Sequence, residues 1–204
     1  MRRLVWPFVF ALCLAPLAWL AWRGFSGGLG ANPIEAINRF LGDWALRFLL
    51  IALAVTPLRE IFDWAGIMRW RRMLGLFAFF YAALHVANYV GLDQFFDWRE
   101  IWSDVVHRKF ITVGMIGFLL LVPLVATSTK GMIKRLGAPR WKKLHRLVYV
   151  IGAAAVVHFY MMVKADVREP LIYGAILALL LGYRVVARAR RRARRRQRRA
   201  GTTA

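Results

Sequence analysis

Long apolar runs alternate with short polar segments along the whole chain. A helix needs about 20 mainly apolar residues to cross a bilayer. Four runs of about this length contain no Asp, Glu, Lys or Arg, and two weaker ones contain one or two charged residues. In chain order, the six predicted spans are 4–22, 40–58, 73–92, 110–129, 147–163 and 170–187. The pattern therefore predicts an all-α, polytopic membrane bundle with six transmembrane helices.

The two weaker spans carry charged residues whose places can be predicted. Asp43 and Arg47 are four residues apart, so they share one face of a helix and are expected to pair near one membrane interface. Arg184 lies in the last span and is expected to extend its long side chain towards water. The first run follows Arg2 and Arg3, and it is too long for the apolar core of a signal peptide. We therefore expect it to be a retained helix.

Charge adds an orientation to this bundle. The chain is 60% hydrophobic but has a formal net charge of +21. Most of the 31 lysines and arginines fall at the N-terminus, in alternate loops and in an arginine-rich tail from Arg184 to Arg199, whereas the intervening loop 93–109 is net negative. Basic loops stay in the cytoplasm, so both termini are predicted to be cytoplasmic. This placement, with anionic lipid as the partner of the tail, explains the charge better than nucleic acid does.

The predicted organisation has three parts. Residues 1–39 hold the first transmembrane helix and a periplasmic loop, residues 40–187 form a transmembrane core, and residues 188–204 form an arginine-rich cytoplasmic tail. The single cysteine, Cys13, rules out an internal disulfide and any iron–sulfur or zinc site built from cysteines.

Two of the four histidines fall inside predicted spans, where ionisable residues are costly and usually functional. His85 lies seven residues before the outer end of the third run, and His158 lies five residues before the outer end of the fifth. These helices run in the same direction, so the two depths differ by only about 3 Å. Imidazoles at matched depth on neighbouring helices can bind one haem iron from opposite sides. Residues 78 and 82, and 151, 154 and 155, are mostly small and lie on the same faces.

The other two histidines support weaker hypotheses. His145 lies at the inner end of the fifth span; it could bind a second haem, contact a haem propionate or a flavin phosphate, or bind a quinone headgroup. Arg71 and Arg72 lie near the depth of His145 on the third span. They could bind an anionic cofactor, but they are explained equally well as basic residues that set the membrane orientation. His107 is expected to be a solvated loop residue. Zinc would require three or four ligands close together, which these separated histidines do not offer.

Several sequence stretches, in the right order, resemble one family. They are 42–50, 53–59, 71–76, 81–85, 111–114, 127–129, 136–137, 158–159, 169–173 and, most specifically, WKKLHRLVY at 141–149. The match, from about residue 42 to residue 183, resembles the MsrQ (YedZ) family of haem-binding membrane subunits of the bacterial methionine sulfoxide reductase system MsrPQ. That family belongs to the ferric-reductase-like transmembrane superfamily.

The resemblance implies a function in the bacterial inner membrane. It implies haem b and FMN as cofactors, with His85, His145 and His158 matching the functional histidines of the family. It also implies that electrons from the quinol or menaquinol pool, or from a cytosolic flavin reductase, reach the periplasmic molybdoenzyme MsrP, which reduces methionine sulfoxide in proteins. No residues for FMN or quinone are implied.

Two features depart from the family pattern. Residues 107–110 read HRKF where the family has a basic residue followed by Pro-Tyr, and the arginine tail is unusually long. The sequence leaves two other hypotheses open. One is a stand-alone transmembrane ferric or quinol oxidoreductase with a small-molecule acceptor, and the other is a non-redox transporter or scaffold.

Overall fold

A computed structural model describes residues 2–163 and 165–200, and every regular element in these ranges is helical. The helices are α1 (Arg2–Phe25), α2 (Pro33–Ile61), α3 (Arg71–Asn88), α4 (Trp98–His107), α5 (Lys109–Ala126), α6 (Lys130–Leu136), α7 (Ala138–Leu144), α8 (Leu147–Met162) and α9 (Arg168–Ala200). A short 3₁₀ helix, Ala65–Arg69, precedes α3, and a π-helical turn, Tyr89–Asp93, continues it.

Within the described residues, six helical segments are long and apolar enough to cross a membrane. They are Val5–Phe25, Pro33–Ile61, Arg71–Asp93, Lys109–Ala126, Ala138–Met162 and Arg168–Ala193. This confirms the prediction of an all-α bundle with six transmembrane helices. The division of the chain at 39/40 and 187/188 stays a prediction, and α9 continues through the second of these points without interruption.

The second span begins seven residues earlier than predicted, at Pro33. Asn32 caps the helix, because its side-chain oxygen accepts a hydrogen bond of 3.2 Å from the backbone N–H of Glu35. Proline is favourable in the first turn of a helix, where its missing N–H costs nothing. The polar residues after Pro33 belong to the first two turns, which lie outside the apolar run, so hydropathy alone could not find them.

The polar segment between the third and fourth spans contains the helix α4. Asp97 starts this helix by accepting hydrogen bonds from the backbone N–H groups of Arg99 and Glu100, at 3.0 and 3.1 Å. Its outer face exposes Trp98 and Trp102, while its inner face buries Asp104. A sequence expectation of a loop is therefore wrong for these ten residues.

The bundle is built from two helix pairs, because α3 packs mainly on α2 and α8 packs mainly on α5. Helix α9 lies against α8 and α2, and α1 lies against α2 and α3. Tyr81 of α3 is completely buried, and its hydroxyl donates a hydrogen bond of 2.9 Å to the Cys13 carbonyl of α1. The two histidine-bearing helices, α3 and α8, thus have different main partners, and the space between the pairs is where the candidate site lies.

The two weaker spans differ in how well their charges were predicted. Asp43 and Arg47 do approach each other, at 3.9 Å. The prediction for Arg184 is wrong, because only 9% of this residue is exposed and it points into the bundle. Its guanidinium donates to the Leu53 carbonyl of α2 and, at 3.2 Å, to the Tyr149 hydroxyl of α8.

Proline explains why Arg184 lies inside. In an α-helix the carbonyl of residue 53 would accept the N–H of residue 57. Residue 57 is Pro57, which has no N–H to donate. The Leu53 carbonyl is therefore left without its helical partner, and Arg184 supplies the missing donor from α9.

We call the end of the bundle where α2 ends and α3 begins the basic end. Contacts from α9 identify it: Arg191 pairs with Glu60 at 2.7 Å, and Tyr183 donates to Glu60 at 3.2 Å. It also carries the basic residues 130–146 in α6 and α7 and the turns that flank them. We call the opposite end, which holds α4, the cavity end.

Candidate functional site

A cavity of about 890 Å³ lies between α2, α3, α5 and α8. Its lining extends along three of these helices as far as Leu49 of α2, Leu121 of α5 and Ile151 of α8. Its mouth is at the cavity end, where the lining includes Asn32 before α2 and Arg108 before α5. The volume is within the range of natural cofactor pockets.

His85 projects from α3 into this cavity. Its Nδ1 lies 2.9 Å from the backbone carbonyl oxygen of Asn38 in α2. A carbonyl oxygen can only accept, so Nδ1 carries the proton and donates it. In the neutral ring this leaves Nε2 with a free lone pair.

His158 projects from α8 into the same cavity and makes an equivalent bond. Its Nδ1 donates to the backbone carbonyl of Phe110 in α5, at 2.7 Å. Its Nε2 is therefore also a free acceptor in the neutral ring. Histidines that bind metals usually donate their other ring nitrogen to a carbonyl or carboxylate in this way.

The structure brings the two imidazoles together as the depth argument requires. The ring centroids of His85 and His158 are 6.2 Å apart, and the ring planes are 81° apart. A metal–imidazole bond is about 2 Å long and the bonded nitrogen lies about 1 Å from the centroid, so two imidazoles on opposite sides of one metal ion have centroids roughly 6 Å apart. Spacing, proton placement and cavity size therefore all fit a macrocycle whose metal is held by both rings.

Small residues surround the pair. The predicted positions Ala78, Ala82, Ile151 and Ala155 line the cavity, whereas Ala154 faces Gly117 of α5, with 3.7 Å between the Ala154 Cβ and a Cβ built on that glycine. Two further glycines lie directly against the imidazoles. A Cβ added to Gly42 would lie 3.2 Å from the His85 ring, and one added to Gly114 would lie 2.7 Å from the His158 ring.

The mouth of the cavity is charged. Its lining includes Glu35 and Arg39 of α2, which pair with each other at 2.6 Å. Arg108 also lies at the mouth and pairs with the buried Asp104 at 2.8 Å. Arg39 and Arg108 are both more than half exposed, so their guanidinium groups are available to an acidic group that enters the mouth.

His145 lies apart from this cavity, at the end of α7 near the basic end. Its ring stacks on Trp141, with centroids 3.9 Å apart, and its Nδ1 donates to the Trp141 carbonyl at 3.1 Å. Its Nε2 is buried and has no hydrogen-bond partner among the described residues. His107 lies at the exposed end of α4, and its Nδ1 donates to the Ser103 carbonyl at 2.8 Å.

Sequence reasoning identified the two cavity histidines but missed the groups that orient them. The carbonyls of Asn38 and Phe110 carry no signal in the sequence, because any residue type supplies a carbonyl. Gly42 and Gly114 fall within the stretches that resemble the family, so the sequence marked these two positions but did not indicate what the glycines do. Only the packing of α2 on α3 and of α5 on α8 reveals that role.

Comparisons with known proteins agree with this geometry. The family model described as ferric reductase like transmembrane component matches residues 41–156. The chain is 54% identical over 182 residues to the protein-methionine-sulfoxide reductase heme-binding subunit MsrQ of Caulobacter vibrioides, covering 89% of this chain and 87% of that protein. It is 57% identical over 183 residues to the same subunit of Rhodospirillum rubrum, covering 90% and 88%. The subunit of Herminiimonas arsenicoxydans is 52% identical, covering 89% and 84%.

Proposed function

Because this chain belongs to the MsrQ family of the ferric reductase like transmembrane proteins, we propose that it is a haem b electron-transfer subunit of a methionine sulfoxide reductase system. One observation carries the proposal: His85 and His158 lie 6.2 Å apart across one cavity, each with Nδ1 bound to a carbonyl and Nε2 free. Two neutral imidazoles in this state would hold a haem iron through their Nε2 atoms, and ligation by two histidines suits electron transfer.

The residues of the cavity have separate tasks in this proposal. His85 and His158 would bind the iron through Nε2, and the carbonyls of Asn38 and Phe110 fix the two rings. Ala78, Ala82 and Ala155 would leave room for a flat ring, and Arg39 and Arg108 at the mouth would attract its acidic groups. When bound, the haem would supply a reversible one-electron carrier, and ligation by both histidines would favour electron transfer over oxygen binding.

The direction of electron flow follows from the membrane orientation that we propose. The basic end lies in the cytoplasm with both termini, and the cavity end faces the periplasm of an inner-membrane protein. Electrons enter from the quinol pool or from a cytosolic flavin reductase and leave at the cavity end to the periplasmic reductase MsrP. This chain performs no bond chemistry on methionine sulfoxide; that reaction belongs to the partner.

Two parts of the proposal concern cofactors outside this cavity. FMN is included on the family resemblance alone, without assigned residues. His145 is a candidate ligand for a second haem, or a contact for a propionate, a flavin phosphate or a quinone headgroup. Its buried Nε2, left free by the bond from Nδ1 to Trp141, supports a role in binding.

Visible spectroscopy of the purified protein tests the central claim. Protein from haem-replete cells should show a Soret band and, when reduced, a sharp α-band. His85→Ala and His158→Ala should each lose most of the bound haem, whereas the exposed His107→Ala should keep it. Colourless wild-type protein, or equal loss in all three variants, would refute the haem site. Haem counts in His145→Ala would show whether a second haem depends on that residue.

Electron transfer to the partner separates this function from a stand-alone oxidoreductase. The haem-loaded protein, reduced by a quinol, should be reoxidised rapidly when MsrP and methionine sulfoxide are added together. Reoxidation by ferric chelates or other small acceptors, with none by MsrP, would favour the stand-alone enzyme.

A further inference from the structure

The orienting bond of His158 is made to a carbonyl inside a helix. Phe110 lies in the first turn of α5, and in a regular helix its carbonyl also accepts the N–H of Gly114, four residues later. A carbonyl oxygen has two lone pairs, so it can accept a second hydrogen bond from Nδ1 of His158. For that to occur, the imidazole must reach the side of the helix next to residue 114.

The orienting bond of His85 is built in the same way in another helix. Asn38 lies in the second turn of α2, and its carbonyl accepts the helical N–H of Gly42 together with Nδ1–H of His85. The same three parts therefore occur twice: a carbonyl, a glycine four residues later in the same helix, and a histidine from the packed neighbour.

Glycine has a physical reason to occupy this position. In an α-helix every Cα–Cβ bond tilts towards the N-terminus, so a side chain covers the turn that precedes it. A side chain at position 114 would therefore lie over the Phe110 carbonyl. Without a Cβ, that carbonyl is open to a donor from the side.

The distances show how little space remains. A Cβ on Gly114 would lie 2.7 Å from Nδ1 and 2.8 Å from Cε1 of His158, closer than real Cβ contacts allow. A Cβ on Gly42 would lie 3.2 Å from Nδ1 and Cε1 of His85, which is tight but less severe. In both cases the nearest atoms belong to a rigid ring at its hydrogen-bonding edge, so the ring can relieve the contact only by moving off the carbonyl.

We propose that Gly42 and Gly114 are positioning residues for the two haem ligands, each keeping a backbone carbonyl uncovered so that a histidine from the next helix is locked with Nε2 facing the cavity. The inference rests on the proposed function, because it assigns the locked rings to an iron. This role differs from that of glycine in ordinary close packing of helices. There, glycine lets two backbones approach each other, whereas here it lets a ring nitrogen reach a carbonyl.

Matched alanine variants test this role. Gly114→Ala and Gly42→Ala are compared with Gly75→Ala, a helical glycine of α3 with open space around its Cβ position. Gly114→Ala should bind haem about 10- to 100-fold more weakly, the usual effect of losing the group that orients a metal-binding histidine. Gly42→Ala should have a smaller effect in the same direction, and Gly75→Ala should match the wild type.

The haem that the variants retain provides the second readout. A histidine that no longer donates Nδ1–H to a carbonyl is a less basic ligand, which stabilises ferric iron less. The midpoint potential should therefore rise in Gly42→Ala, and further in Gly114→Ala, with a changed low-spin spectrum. If Gly114→Ala does not fold, Gly42→Ala alone must show the raised potential.

The outcomes distinguish this inference from the function on which it rests. If His158→Ala loses haem while both glycine variants keep wild-type affinity and potential, the glycine role is wrong and the haem site stands. The role is also wrong if Gly75→Ala loses haem as readily as Gly114→Ala. If His158→Ala itself retains haem, the proposed site fails and the inference fails with it.

Discussion

At the scale of the residue, one hydrogen bond to each histidine determines which ring nitrogen is left to bind a metal in the cavity. A neutral imidazole carries one N–H, and the carbonyl to which that N–H donates a hydrogen bond decides which nitrogen can bind a metal. In both His85 and His158 the N–H is on Nδ1, and it donates to carbonyls on different helices. The two rings that we propose as haem ligands are therefore already oriented by the protein, with Nε2 left to bind a metal.

Arg184 and Pro57 provide a residue-scale prediction. Replacing Arg184 by methionine removes the donor that serves the Leu53 carbonyl, which Pro57 has deprived of its helical partner. A buried carbonyl left unsatisfied should lower the free energy of unfolding by about 1–3 kcal/mol. In a Pro57→Ala background the helix supplies its own N–H, so the same substitution should cost less. Thermal melting of the four proteins in detergent measures this coupling; an equal cost in both backgrounds would contradict it.

The same residues show what sequence alone could predict. The depths of His85 and His158 followed from counting along apolar runs, since helix rise converts residue number into distance. The inward position of Arg184 did not, because it depends on a carbonyl 131 residues away in sequence. Snorkelling was the reasonable expectation for an arginine near a span end, and an unpaired acceptor inside the bundle overrode it.

At the scale of the element, α4 is fixed by one buried carboxylate. Asp104 is only 3% exposed. It accepts a hydrogen bond of 2.9 Å from the Tyr89 hydroxyl, lies 3.4 Å from the Gln94 amide nitrogen and pairs with Arg108 at 2.8 Å. These partners join α4 to the end of the third span and to the start of α5. The position of Arg108 at the cavity mouth therefore depends on Asp104.

Removing this carboxylate should loosen α4. Asp104→Ala leaves the Tyr89 hydroxyl without its acceptor, so the free energy of unfolding should fall by about 1–3 kcal/mol. Trypsin added at the cavity end should cleave more rapidly after Arg99 and Arg108. Glu100→Ala, an exposed change on the same helix, should stay within about 0.5 kcal/mol of the wild type. Equal cleavage of the two variants would show that Asp104 does not hold the helix.

Elements were predictable where hydropathy alone defines them. Six spans emerged because long uncharged runs have few alternatives in a chain this apolar. Helix α4 did not, since ten amphipathic residues between two spans resemble a polar loop until their buried face is known. The early start of α2 was also missed, although Asn32 and Pro33 form a recognisable helix start.

At the scale of the whole molecule, charge and cavity occupy opposite ends. The basic end holds residues 130–146 and the contacts of Arg184, Arg188 and Arg191 with Tyr149 and Glu60. The cavity opens at the other end, among carboxylates and two half-exposed arginines. An electron carrier bound in this cavity would lie closer to one membrane face. This position favours outward electron transfer only if the cavity end faces the periplasm.

Labelling of single cysteines determines that orientation. The only native cysteine, Cys13, is buried, so the wild type supplies the background. Arg99 at the cavity end and Lys130 at the basic end are both exposed, which makes Arg99→Cys and Lys130→Cys a matched pair. A membrane-impermeant maleimide should label only Arg99→Cys in intact cells, because basic loops are retained in the cytoplasm. Lysed membranes should allow labelling of both variants. Labelling of Lys130→Cys alone in intact cells would show the opposite orientation and would contradict the proposed direction of electron flow.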